Sequence, residues 1–202
     1  MLKKNLALLI CATLFLLPGV AAADEVADMI QRGLKLYEEG KLSQSMEELN
    51  FALAQMRQKK ADALTAAFPE APSGWTAEKA KAESAGAGLM GGGISASRKY
   101  KQDGGKGLAS VEVMTDSPLI QSLAMLLSNP MFLQGGSNGK LLRVNGQKAI
   151  LKEEPNNRAE VQMLVDNKIL IKTEARRVEN ASQIAQELAK KLDLDKLRDL
   201  TK

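Results

Sequence analysis

The sequence predicts an α+β fold, an N-terminal antiparallel helical hairpin followed by an antiparallel sheet covered on one face by helices. Three observations carry that expectation. Apolar residues recur at helical spacing from Asp24 to Phe68, interrupted only at Gly40. Short alternating runs separated by compact turns dominate the second half of the chain. Asn145-Gly146, set between Leu142/Val144 and Ala149/Ile150, marks a type I′ hairpin.

The chain divides into residues 1–23, a signal peptide; residues 24–68, the hairpin; and residues 69–202, the sheet domain. Lys3 and Lys4 give a positive start, Leu6 to Leu17 an apolar stretch, and Pro18-Gly19 ends it. Ala21-Ala22-Ala23 places small residues where a signal peptidase cleaves, before Asp24. The apolar stretch is shorter than the about 20 residues a membrane span needs, so no stable anchor is expected after cleavage. The expected location is therefore the periplasm. Cys11 is the one cysteine and sits inside the apolar stretch, so the mature chain is expected to carry neither a disulfide nor a thiolate.

In the hairpin, Val26, Ile30, Leu34 and Tyr37 lie along the first helix. Leu42, Met46, Leu49, Leu53 and Met56 follow along the second at steps of four, three, four and three. Gly40 suits the left-handed residue that ends a helix, Ser43 is placed to cap the next, and Pro69 and Pro72 stop it. Gly33, Gly40, Leu42, Ser45, Leu49 and Ala52 fall at the small and apolar positions of a tetratricopeptide repeat, which this segment resembles. Leu36 replaces that motif's aromatic, and Ser45 its usual alanine. One copy over about 30 residues implies the hairpin shape and not the peptide groove, which needs stacked repeats. The simplest reading packs this hairpin on the domain that follows.

Beyond Pro69 to Trp75, strands are expected at Ala80–Ser84, Ile94–Lys101 and Leu108–Thr115, the last with Ala109, Val111 and Val113 inward. Asp116-Ser117-Pro118 starts a helix whose residues Leu119 to Leu127 are apolar nearly all round, which predicts heavy burial. Four strands follow, turning at Asn145-Gly146, Pro155-Asn156-Asn157 and Asp166-Asn167. An amphipathic helix opening at Glu179 or Asn180 then carries Ile184, Leu188 and Leu192, and Leu194, Leu197 and Leu200 extend its apolar edge. This order of elements is similar to the PsbP/Mog1-like fold of secreted domains. Ala71-Pro72-Ser73-Gly74-Trp75, Ser95 to Tyr100, Asp116-Ser117-Pro118 and Leu127 to Phe132 resemble a group of proteobacterial periplasmic proteins with no assigned activity, which implies location and fold alone.

Composition argues against most chemistry. The chain has no histidine, the usual general base and metal ligand, so triads and Cys–His pairs are excluded. Without Lys3 and Lys4 of the signal the net charge falls from +4 to a nearly balanced +2, which with an aromatic content of 3% argues against nucleic acid. Gly136 to Lys140 fails the phosphate-loop spacing, with Leu141 where a magnesium-binding hydroxyl belongs. Ser137 to Lys140 satisfies S-x-x-K without the K-T-G strand that pattern needs, since Lys172-Thr173 is followed by Glu174. Asp193, Asp195 and Asp199 lack the glycine and terminal glutamate of a calcium loop. No catalytic residue, metal or cofactor is expected.

What remains is contact. Leu89 and Met90 lie in the glycine-rich run 85–93, and Met131, Phe132 and Leu133 precede a second glycine loop. With Tyr37 and Leu49 of the hairpin, these form the expected contact set for another periplasmic protein or for a second copy of the chain. The alternative is a carrier or sensor holding a small apolar ligand between the sheet and the Leu119–Leu127 helix.

Overall fold

A computed structural model describes residues 24–85, 93–128 and 139–202. Helix α1 (Glu25–Glu38) and α2 (Leu42–Leu64) form the hairpin, and a 3₁₀ turn (Thr65–Ala67) continues α2 to the expected stop. Asp24 caps α1 by accepting from the Val26 backbone N–H. Gly40 has φ +75°, the left-handed residue the sequence called for. Ser43 does not cap α2. The N-cap is Lys41, without a side-chain bond, because Gly40 turns the chain so tightly that the helix begins at Leu42 and leaves Ser43 inside its first turn.

Eight strands follow: β1 (Trp75–Ala77), β2 (Lys81–Ala85), β3 (Gly93–Gln102), β4 (Leu108–Thr115), β5 (Gly139–Val144), β6 (Gln147–Glu154), β7 (Arg158–Val165) and β8 (Ile169–Arg176). They form one sheet in the order β1-β3-β4-β8-β7-β6-β5, with β2 pairing β3 beyond the end of β1. Every pairing is antiparallel. The turns fall where short polar pairs stand: Asn145, Gly146, Asn156, Asn157, Asp166 and Asn167 all have positive φ, the conformation that Asn, Asp and Gly tolerate.

Strand alternation sends one set of side chains inward. Val111, Val113, Val161, Met163, Ile169 and Ile171 are buried on that face. Helix α4 (Ala181–Lys191) covers them with Ile184, Ala185 and Leu188, and α5 (Leu194–Asp199) adds Leu197. The buried Thr173 hydroxyl donates to the Ala185 carbonyl at 2.7 Å, so no polar atom is stranded where α4 crosses β8. Helices α4 and α5 thus cover one face of the expected antiparallel sheet.

Helix α3 (Leu119–Ser128) lies against the opposite face. Its Ile120, Leu123 and Leu127 pack on Ile150, Leu164 and Leu170, whose strand positions alternate with the main core. All-round burial of this helix, expected from its composition, is not what the fold provides. Leu119 is exposed and Met125 is 71% exposed, because α3 buries only the side that faces the sheet and no other described element packs beside it.

Candidate functional site

The hairpin is built by small residues at its seam. Gly33, Ser45 and Ala52 are buried there, and the Ser45 hydroxyl donates to the Gly33 carbonyl at 2.7 Å. A Cβ on Gly33 would lie 2.8 Å from two Leu49 side-chain carbons and 3.6 Å from the Ser45 carbonyl, so a larger residue there would displace the Leu49 side chain. Arg32 pairs with Glu48 at 3.2 Å near the middle, and Lys59 with Asp24 at 2.7 Å at the root. Ala61 and Leu64, near the end of α2, join the main core, and α2 crosses β2 and β3. Helix α1 packs on α2 and on no other element to a comparable extent. The hairpin is therefore joined to the sheet through α2, with α1 on the outer side. Helix α2 thus packs on the following domain along β2 and β3, while α1 does not do so to a comparable extent.

This placement leaves the apolar stripes uncovered. By helical spacing, Ile30, Leu34 and Tyr37 share one side of α1, about a quarter turn from the seam, and Leu42, Met46, Leu49, Leu53 and Met56 share one side of α2. Because the helices are antiparallel, both stripes open on the same side of the hairpin. All eight side chains are exposed, from 39% for Leu53 to 64% for Met46. Of the expected contact residues, Tyr37 and Leu49 fall on this face, at 63% and 42% exposed. Leu89, Met90, Met131, Phe132 and Leu133 lie outside the described residues. The other six members were visible in the sequence as apolar positions at helical spacing, which does not say whether a position is covered. Phe51, also exposed, stands on the opposite side of α2 beside a shallow groove framed by Ser43, Met46, Glu47, Asn50 and Ala54.

A second feature lies under α3. Met114, Leu119, Leu123, Leu126 and Leu170 line a cleft of about 430 Å³, with Glu112, Gln162 and Lys172 at its polar side. Just beyond, Glu160 is buried at 6% exposure, held by Lys172 at 2.9 Å and by the Gln162 amide. Burial pushes the Lys172 ammonium down, but the Glu160 carboxylate outweighs it and the net shift is upward. Arg158 bridges Glu154 and Glu174, each at 3.1 Å, so the charges of this face largely satisfy one another.

Several other titratable groups are held in hydrogen bonds or ion pairs of the fold. Tyr100 is fully buried, donates to the Pro69 carbonyl at 2.8 Å, and has its phenol pushed up to about 12 by burial, against the opposing pull of Arg98. Burial raises the Asp116 carboxyl, but Lys60, 2.9 Å away, overcomes this and holds it below the usual range. Lys140 pairs with Glu153 at 2.6 Å and lowers its pKa. Asp193 accepts from the Lys196 backbone at the start of α5, which lowers its own pKa. Asp195 pairs with Arg198, and Asp199 with Lys202. Among the described residues no three metal-ligating side chains gather, and no helix is long and apolar enough to cross a membrane.

No protein family matches the chain, and no curated protein or solved structure is similar to it.

Proposed function

We propose that this chain is a non-catalytic protein-binding or scaffolding protein of the periplasm, exported by its N-terminal signal and acting through the hairpin. One observation carries the reading: eight large apolar side chains on one side of the hairpin meet water. They leave on the order of 900 Å² uncovered, above the about 300–600 Å² of the largest patch on a typical monomer. Such a surface costs solubility unless something covers it, and its steps of four and three suit packing against further helices. The titratable groups add support, because Tyr100, Lys140 and Glu160 are each committed to a structural partner.

A second reading has its own observation. The cleft beneath α3 is lined mainly by Met and Leu, has convergent polar groups on one side, and falls in the size range of small-molecule sites. It suits a small apolar ligand, which makes the chain a carrier or sensor.

Native mass spectrometry of the protein released gently from the periplasm separates the two. A complex with protein, whether a second copy or another chain, is the expected result. A few hundred extra daltons on a single chain favours the carrier. The bare mass of one chain, over a range of concentrations, overturns both.

A further inference from the structure

Resting on the binding reading above, we infer that the occupant of the hairpin face is a second copy of this chain, the two hairpins packing face to face into a four-helix bundle. The area fits. The face leaves on the order of 900 Å² uncovered, and a standard specific interface takes about 800 Å² from each partner. Eight Leu, Ile, Met and Tyr side chains at one site are also far more apolar than the surface of a transient interface, and match the character of homodimers.

The pattern fits as well. Leu42, Met46, Leu49, Leu53 and Met56 step by four, three, four and three, the repeat whose natural complement is another helix with the same repeat. The hairpin supplies two such helices held rigidly by the Gly33–Ser45–Ala52 seam, so it is half of a bundle already assembled.

Charge fits too. No Asp, Glu, Lys or Arg interrupts either stripe, so nothing on the face selects an oppositely charged partner. The positions that follow Leu42, Leu49 and Met56 along α2 are Ser43, Asn50 and Arg57, which leave one cation and no like-charge row to meet its own image. An isologous contact asks for a patch that tolerates itself, and this one does.

The test uses sedimentation equilibrium of the purified chain. At about 50 µM the wild-type protein is expected to be a dimer, within reach of any interface of this size. Leu34→Lys with Met46→Glu, both at exposed positions of the face, should weaken dimerisation at least about 100-fold while leaving the circular dichroism of the sheet unchanged. Phe51→Lys, on the far side of α2, should leave the dimer intact. A wild-type monomer at that concentration overturns the inference, as does a dimer that survives the double variant or is lost equally with Phe51→Lys. The native mass spectrum then separates the two failures. A different protein bound, and lost in Met46→Glu, removes the second copy but keeps the binding reading. No bound protein removes both.

Discussion

At the residue scale, buried side-chain polar atoms among the described residues are satisfied locally except Arg158 Nε, and Glu160 beside it is the sharpest case. Its register partner across β7 and β8 is Glu174, a like charge directly opposite. Lys172 and Gln162 on one side and Arg158 on the other make that tolerable. Replacing Lys172 with methionine leaves Glu160 buried with a single amide partner. It should cost about 1–3 kcal/mol in urea unfolding. The double variant Lys172→Met/Glu160→Gln should recover more than half of that, and additive losses would show that the pair is not coupled. The sequence showed the turn residues of β5–β8 and the inward set Ala109, Val111 and Val113 directly, because both follow from local geometry. It did not show that Glu160 is buried. An alternating Glu-Val-Gln reads as a wet face, and only the long Lys172 side chain arriving from β8 shields it.

At the element scale, the tight turns among the described residues are each fixed by one or two residues. Asn145 and Gly146 have φ +49° and +79°, and the Asn145 amide also donates to the Lys190 carbonyl at 2.8 Å near the end of α4. One turn therefore closes the β5–β6 hairpin and ties it to the covering helix. A Cβ on Gly146 would meet nothing within 4 Å, so Gly146→Ala carries a purely conformational cost. About 1 kcal/mol of lost stability is expected in thermal unfolding, with the sheet spectrum unchanged. An unaltered midpoint would mean the turn is not held at that φ. Helix α3 shows where element-scale reading stops. Composition gave its position and its apolar character, yet which sheet face it meets depends on the pairing parity of Ile150, Leu164 and Leu170. Those residues look like any other strand positions until the register is known.

At the scale of the whole molecule, the chain consists of a broad sheet core and a hairpin attached through α2. That division was readable from the change in periodicity near Pro69. The exposure of the hairpin was not, since a stripe of Leu and Met at helical spacing has the same signature whether its cover is the same chain or another. Hydrogen exchange should follow the division. With the chain diluted below dimerisation, the amides of Glu25–Glu38 are expected to exchange well before those of Val161–Val165, because α1 leans on one helix while β7 is paired on both sides. Equal protection at both places would contradict an outlying α1.

Trp75, the one tryptophan of the chain, is packed into the main core at the start of β1, whereas Tyr37 stands on the open hairpin. Trp75, with Tyr100 in the same core, thus sits on one side of the molecule's division of labour and Tyr37 on the other. Indole emission follows the zipping of β1 onto β3 and is silent to events on α1. Phenol absorbance carries both Tyr37 and the buried Tyr100, and in the folded chain only the Tyr37 share answers to whatever settles over the hairpin. Folding and association consequently have separate optical signatures in one chain, without any label added.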